Sequence, residues 1–263
     1  MRFRQRGNSN ISRSGYPTAG DFLPEAVITK KLKKTYGKIN AVMDLNLSVH
    51  EGEIYGLIGP NGSGKTTTVK ILCGLLKPDG GEAEVLGNSP GSIAVRPLLG
   101  YMPQDLAIYP DLRVVQNLDF FGRLYGLGGD KLKAREKALL RMVALEGRED
   151  SLVSTLSGGM KHRLSLACSM IHGPKLLFLD EPTVGVDPEL RFSFWQYLKK
   201  LKEGGVTALI TTHYMDEAGR CDRVGLIREG RLIAEGTPKE LRDSAGSESL
   251  EDAFLVFSRG DTK

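Results

Sequence analysis

The 263-residue sequence has few cysteines and no long apolar stretch. Its three cysteines, Cys73, Cys168 and Cys221, lie far apart and form no CxxC or cysteine–histidine pattern, which argues against a disulfide framework or a zinc site. Its longest apolar runs, near Leu176 to Leu179 and Ala208 to Ile210, fall well short of the roughly 18 residues that a membrane helix needs. We therefore expect that this chain does not cross a bilayer by itself.

The amino terminus lacks the apolar core of a secretion signal, because its arginines run into the polar stretch Gly7 to Ser14. We therefore expect a cytoplasmic protein. Residues 1–21 contain four arginines and one acidic residue, Asp21, and so carry about +3 of the net charge of +4. Because the rest of the chain is nearly neutral, nucleic acid is not an expected partner. Residues 1–25 are predicted to form a disordered basic tail.

Hydrophobic patterning predicts an α/β fold with a mixed, mostly parallel sheet and an antiparallel β subdomain. The alternating stretch Leu45 to Val49 is typical of a half-buried antiparallel strand. An earlier strand is expected near Val27 to Leu32, and a short one through Glu84 to Leu86. The remaining strands are expected at Ile54–Ile58, Leu99–Met102, Lys175–Leu179, Val206–Thr212, Val224–Arg228 and Leu232–Glu235. A predicted helix, Glu189 to Lys202, joins two of them, and such a connection implies a right-handed parallel crossover.

Between about residues 106 and 168 the pattern is helical, which predicts an α-helical subdomain inserted into an α/β domain of residues 26–243. Residues 244–263 are predicted to form a short extension with an amphipathic helix. Its apolar positions are Leu250, Phe254, Leu255 and Phe257. This helix either docks on its own domain, which we favour, or contacts a partner.

A glycine-rich loop between the strand Ile54–Ile58 and a helix predicted over Thr66 to Leu76 is the strongest motif. It fits the pattern GxxxxGK[ST] with Gly59, Pro60, Asn61, Gly62, Ser63, Gly64, Lys65 and Thr66, followed by Thr67. In such a loop, successive backbone N–H groups point toward a bound anion. The positive end of the following helix dipole lies at the same place and attracts the anion further. Lys65 is expected to reach the β- and γ-phosphates of a nucleotide, and Thr66 to bind Mg²⁺.

Two adjacent carboxylates, Asp180 and Glu181, follow the apolar run Leu176 to Leu179 and precede Pro182. Because side chains alternate along a strand, the two acids can take different roles at its tip. Asp180 fits a carboxylate that serves Mg²⁺, and Glu181 fits the group that orients or deprotonates the attacking water. Together with the glycine-rich loop, this pair predicts a P-loop NTPase.

Further motifs narrow the class. The segment Leu156 to Met160 reads Leu-Ser-Gly-Gly-Met and precedes a predicted helix. With these motifs in order, the chain resembles the ATP-binding subunits of ABC transporters over nearly all of Ala26 to Asp243. The residues that match the family pattern are Ser157, Gly158 and Gly159 of its signature, Gln104 of its Q-loop, Asp187 of its D-loop, its switch histidine His213 and its adenine-stacking aromatic Tyr36.

The resemblance implies a two-fold dimer in which ATP lies between the glycine-rich loop of one subunit, called the phosphate loop below, and the signature of the other. Binding would close the dimer and hydrolysis would reopen it. Gln104 would touch Mg²⁺ or the attacking water, and His213 would hold the γ-phosphate. Whether the dimer pairs two copies or one copy with a paralogue stays open.

At Met160, where the family most often has glutamine, the chain resembles the ABC-2 type branch, whose members export drugs or polysaccharides. The stretch Ile210 to Ala218 and the compact ending after Gly236 to Pro238 share this resemblance. It implies an integral-membrane permease on a separate chain and a position on the cytoplasmic face of the membrane. The inserted helices near Tyr109 would receive a cytoplasmic helix of that permease.

The main alternative is a soluble, stand-alone ABC ATPase that acts in repair, assembly or translation. Chromosome-handling relatives carry a long coiled coil before the signature, and translation-type relatives carry two such units in one chain. The sequence has neither feature, although a stand-alone assembly factor remains open. A catalytically silent subunit is disfavoured because Lys65, Asp180, Glu181 and His213 are intact.

Overall fold

The computed structural model describes residues 24–260, so nearly all of the predicted basic tail and residues 261–263 lie outside the described residues. The strands are β1 (Glu25–Tyr36), β2 (Ile39–His50), β3 (Ile54–Ile58), β4 (Gly80–Val85), β5 (Leu99–Met102), β6 (Leu176–Asp180), β7 (Thr207–Thr212), β8 (Arg223–Arg228) and β9 (Arg231–Gly236). The helices are α1 (Lys65–Leu72), α2 (Val114–Leu124), α3 (Gly129–Met142), α4 (Gly158–Met170), α5 (Pro188–Glu203), α6 (Met215–Ala218), α7 (Pro238–Ala245) and α8 (Leu250–Arg259). Within residues 24–260, no helix combines the length and the apolarity that a membrane crossing requires.

The strands form two sheets. One is antiparallel, in the order β2-β1-β4, and the other has the order β5-β6-β7-β3-β8-β9, in which only the pair β8–β9 is antiparallel. The predicted fold class, a mostly parallel mixed sheet with an antiparallel β subdomain, is therefore confirmed. The helices α2, α3 and α4 lie between β5 and β6 in the chain.

Several predicted element bounds differ from those of the structure, and two of these differences have a clear physical cause. The second strand begins at Ile39 and not at Leu45, because Asp44 has a φ of +49° and the pairing with β1 is irregular there, which breaks the alternation that sequence patterning detects. The helix after the glycine-rich loop ends at Leu72 and not at Leu76, because Gly74 takes a φ of +72°. A Cβ at Gly74 would lie 2.2 Å from the Cα of Gly91.

The central strand β3 is buried on both faces and divides two apolar clusters. Tyr55 and Leu57 face a cluster shared with α1 and the antiparallel sheet. Ile54 and Ile58 face a second cluster, which includes residues of α2, α3, α4 and α5. Because both faces of a parallel strand are covered, its sequence is a continuous apolar run. This packing fixes the end of β3, from which the glycine-rich loop departs.

The last helix packs on the rest of the chain through Leu250 and Ala253, which are both buried. The Nη1 atom of Arg228, in β8, donates a hydrogen bond to the carbonyl of Ser258 over 3.1 Å. In the structure, α8 thus lies against its own domain.

A partly buried ionic network links the two sheets around Arg223. Its Nη1 lies 3.1 Å from Oε1 of Glu53 and donates to the carbonyl of Ser48, and its Nη2 lies 3.0 Å from Oε1 of Glu235. The hydroxyl of Tyr55 donates to the same Glu235 oxygen over 2.7 Å. Burial raises the pKa of Glu53, and Arg223 opposes that rise.

We predict that Arg223→Met lowers the free energy of unfolding by about 3 kcal/mol, because it leaves the buried carboxylate of Glu53 without its cation. Removing Arg223 should raise the folded-state pKa of Glu53 further above its unfolded value, so the native chain then binds more protons than the unfolded chain as the pH falls through that window. The loss should therefore be smaller at pH 5 than at pH 8, as measured by urea denaturation of the variant and the wild type at both pH values.

The matched control is Arg231→Met, which removes an arginine that is half exposed and whose ion pair is with the partly exposed Asp44, 3.6 Å away. Its effect should stay within about 0.5 kcal/mol at either pH. An equal loss for Arg223→Met at both pH values would contradict the assignment of Glu53 as the uncompensated group.

Candidate nucleotide site

The glycine-rich loop, residues 59–66, connects β3 to α1 and is held against neighbouring backbone. A Cβ at Gly59 would lie 2.1 Å from the carbonyl oxygen of Ile227, and a Cβ at Gly64 would lie 2.2 Å from that of Ala41. Gly64 also has a φ of +103°, which side chains of L residues rarely allow. Glycine is therefore required at both positions by the loop's shape and not only by a ligand.

The start of α1 offers an anion site. Its first turn, Lys65 to Thr68, contains no acidic residue of its own, which leaves the positive end of the helix available to an anion. The hydroxyl of Ser63 is buried and has no hydrogen-bond partner among residues 24–260. A phosphate group in the loop would supply the missing partner.

Lys65 is buried in the same loop, with its side chain 4% exposed. Its Nζ donates to the carbonyl of Gly59 over 2.7 Å and to that of Pro60 over 3.1 Å, and it lies 3.5 Å from Oε1 of Glu181. Burial lowers the pKa of Lys65, and the nearby Glu181 opposes this shift. The cation thus occupies the position to which a phosphate would be drawn.

The two carboxylate oxygens of Asp180, the last residue of β6, have different surroundings. Oδ1 accepts hydrogen bonds from the hydroxyls of Thr66, over 3.1 Å, and Thr211, over 2.5 Å. Oδ2 is buried and has no partner in the part of the chain that the structure describes. Burial raises the pKa of Asp180, and the two hydroxyls oppose that rise.

This donor set fits Mg²⁺, which prefers oxygen ligands. The oxygens available are the hydroxyl of Thr66 and the unpaired Oδ2 of Asp180. Residues 24–260 contain no group of three or more His, Cys, Asp or Glu side chains that could hold a metal ion. Such a sparse set suits an ion that is bound largely through the phosphates of a substrate.

The carboxylate of Glu181 is the point on which the predicted catalytic residues converge. Its Oε1 lies 3.5 Å from Nζ of Lys65, and its Oε2 lies 3.5 Å from Nε2 of Gln104 and 3.3 Å from Nδ1 of His213. Glu181 itself has a φ of +52°, an unusual conformation for a residue other than glycine. Strained backbone of this kind is enriched at active sites.

The signature residues lie on the inserted helices. Ser157 caps α4, and its hydroxyl accepts a hydrogen bond from the backbone N–H of Met160 over 3.3 Å. Gly158 and Gly159 form the first turn, and a Cβ at either would meet no atom within 4 Å among the described residues. The packing of this chain therefore does not explain why glycine occupies these two positions.

Two further predicted residues lie apart from the Glu181 group. Tyr36 ends β1 with 47% of its surface exposed, and Nζ of Lys34 lies 5.8 Å from its ring centre. Asp187 caps α5, where its Oδ1 accepts a hydrogen bond from the N–H of Leu190 over 3.0 Å. The structure thus gathers Lys65, Thr66, Gln104, Asp180, Glu181 and His213, and leaves Tyr36, Asp187 and the signature outside that group.

Sequence reasoning missed Thr211, whose hydroxyl contacts the carboxylate of Asp180 and the backbone of Glu181. It donates to Asp180 and accepts a hydrogen bond from the N–H of Glu181 over 3.0 Å. The available signal was the pair Thr211 and Thr212, which follows the apolar run Ala208 to Ile210 in the same strand.

Comparisons with known proteins agree with this geometry. Residues 42–184 match the ABC transporter family. A protein of Escherichia coli K12 named as a probable multidrug ABC transporter ATP-binding protein, YbhF, is 45% identical over 245 residues, which are 90% of this chain but 42% of that protein. The Nod factor export ATP-binding protein I of Cupriavidus pinatubonensis is 43% identical over 238 residues, 88% of this chain and 73% of that protein.

A solved structure, described as the dimeric post-hydrolysis state of an ATP-binding cassette bound to ADP and phosphate, has a TM-score of 0.75 and 28% identity to this chain. The matched region covers 80% of this chain and 98% of the chain in that structure. The resemblance inferred from the motifs is therefore confirmed. The chain belongs to the ABC transporter family of ATP-binding proteins.

Proposed function

We propose that this chain is the subunit that binds and hydrolyses ATP to power an ABC exporter. The observation that carries the proposal is the convergence of Lys65, Gln104 and His213 on the carboxylate of Glu181. A buried acid with a cation, an amide and an imidazole around it can serve both the attacking water and the phosphate under attack.

In this proposal the phosphate loop, which is the glycine-rich loop of residues 59–66, holds the phosphates through its backbone amides and Lys65, together with the adjacent Thr67. Glu181 orients the attacking water and accepts its proton, while His213 and Lys65 stabilise the charge on the γ-phosphate as its bond to ADP breaks. When bound by Thr66 and Asp180, with Gln104 at the ion or the water, Mg²⁺ would neutralise charge on the phosphates. Tyr36 would stack on the adenine.

A second copy or a paralogue completes the site. The open first turn of α4, with Gly158 and Gly159, leaves backbone N–H groups free to meet an anion from outside the chain. Ser157 stands beside them, and Asp187 begins the neighbouring α5. An ATP molecule bound by the phosphate loop of one subunit and the signature of its partner would close the dimer, and its hydrolysis would reopen it.

Export through a permease on a separate chain is supported by the relatives and by one surface. The relatives are named for multidrug transport and Nod factor export. Tyr109, Phe120 and Leu124 expose between 40% and 68% of their surface, and the rings of Tyr109 and Phe120 pack edge to face with centres 4.9 Å apart. Asn117, which is fully buried, fixes the backbone of Tyr109 through two hydrogen bonds. This aromatic surface suits a short apolar helix of a membrane protein at the cytoplasmic face.

We predict that Glu181→Gln lowers the ATP hydrolysis rate by at least about 100-fold, because the amide cannot accept the proton of the attacking water. ATP should still bind, so a nucleotide-bound dimer should accumulate. Size-exclusion chromatography with light scattering, with ATP and Mg²⁺ present, measures this dimer directly. The exposed Glu203, at the end of α5, supplies the control Glu203→Gln, which should hydrolyse ATP at the wild-type rate. Unchanged turnover in Glu181→Gln would refute the assignment.

We also predict that the tagged chain, purified from gently solubilised membranes of its source cell, carries a multi-span membrane protein in stoichiometric amount. Leu124→Asp should abolish that association by placing a charge on the aromatic surface, while nucleotide binding stays intact. The control Ile93→Asp changes another exposed apolar residue, which is 85% exposed, and should retain the partner. Recovery of a soluble partner without any membrane protein would instead support the stand-alone ATPase.

A further inference from the structure

Thr211 lies at the junction between the two acids of the site. It is fully buried in β7, directly opposite Asp180 in the parallel pairing of β6 with β7. Its hydroxyl donates to Oδ1 of Asp180 over 2.5 Å and accepts a hydrogen bond from the N–H of Glu181 over 3.0 Å. One hydroxyl thus donates to the carboxylate of Asp180 and accepts from the backbone of Glu181.

The contact with Asp180 decides which oxygen of that carboxylate is free. Oδ1 is engaged by the hydroxyls of Thr211 and Thr66, whereas Oδ2 is buried without a partner among residues 24–260. A carboxylate fixed at one oxygen cannot turn freely about its last bond. Thr211 therefore holds Oδ2 in the direction in which an ion would meet it.

The contact with Glu181 holds a strained backbone. Glu181 has a φ of +52°, which costs free energy for a residue with a Cβ and persists only where surrounding contacts fix it. The backbone N–H of Glu181 donates to two oxygens of Thr211, the hydroxyl oxygen at 3.0 Å and the backbone carbonyl oxygen at 3.1 Å. This conformation directs the side chain of Glu181 toward Lys65, Gln104 and His213.

We propose that Thr211 is the positioning residue of the acid pair, which through one hydroxyl orients Asp180 toward Mg²⁺ and Glu181 toward the attacking water. The proposal rests on the proposed ATPase function and deepens it. It requires a hydroxyl at this position and not merely a side chain of the right volume. Valine has the shape of threonine but neither donor nor acceptor, whereas serine keeps both.

The test compares Thr211→Val, Thr211→Ser and a matched control, Thr207→Val. Thr207 begins the same strand, is 2% exposed and accepts a hydrogen bond from the N–H of Gly52 over 2.9 Å, so the control also deletes a buried hydroxyl contact. Equilibrium binding of a fluorescent ATP analogue is measured with Mg²⁺ and with EDTA. Steady-state hydrolysis then gives kcat and KM.

For Thr211→Val we expect the affinity for nucleotide in EDTA to stay within about twofold of wild type, because the phosphate loop is untouched. Adding Mg²⁺ should raise the affinity of the variant for nucleotide at least about tenfold less than it raises that of the wild type. The kcat should fall by at least the same factor, with a smaller change in KM. Losing a hydrogen bond to a charged group is expected to have an effect of this size. Thr211→Ser should recover most of both quantities, and Thr207→Val should match wild type.

Three outcomes would overturn the proposal. They are wild-type behaviour of Thr211→Val in both quantities, equal impairment of Thr211→Ser, and equal impairment of Thr207→Val. If Thr211→Val does not fold, Thr211→Cys replaces it, since a thiol is a weak donor and should show the loss that serine does not. A wild-type chain that neither binds nor hydrolyses ATP would refute the proposed function itself, whereas an active wild type beside an unimpaired Thr211→Val would refute only the role of Thr211.

Discussion

The buried ion pair between Lys65 and Glu181 is the interaction on which the rest of the site depends. Both side chains are at most 6% exposed, and their charged atoms lie 3.5 Å apart. Neither charge is stable in the interior without partners, so each is surrounded by polar groups. The parallel sheet makes this possible, because β5, β6, β7 and β3 all end at the same edge, where the segments that carry Gln104, Glu181, His213 and Lys65 begin.

Much of this site could be predicted from the sequence because its motifs are short and each follows a buried strand. The loop around Lys65 and the pair Asp180–Glu181 need only local chain geometry, and parallel strands bring their ends together. Thr211 could not be found in the same way, since its contact depends on the register between β6 and β7. The start of β2 was missed because the left-handed Asp44 hides the strand's alternation.

The signature segment, Ser157 to Gly159, has a different status from the Glu181 group. Its helix start is open, its glycines are not required by the packing of the described residues, and it lies on the inserted helices. If the groups at Lys65 and at Ser157 both bind phosphate, as proposed, the chain is suited to share a nucleotide with another subunit. ATP would then act as part of the interface, which couples hydrolysis to the opening of the dimer.

A site shared between two copies of this chain is tested most directly by mixing Lys65→Met and Ser157→Arg, two variants that should each be inactive alone, and measuring ATP hydrolysis. The first loses the phosphate loop's cation, and the second blocks the signature. In a mixed dimer, the intact Lys65 of one chain faces the intact Ser157 of the other, so one complete site is restored. The account predicts that the mixture hydrolyses ATP. A mixture as inactive as its components, or full activity of Ser157→Arg alone, would contradict it.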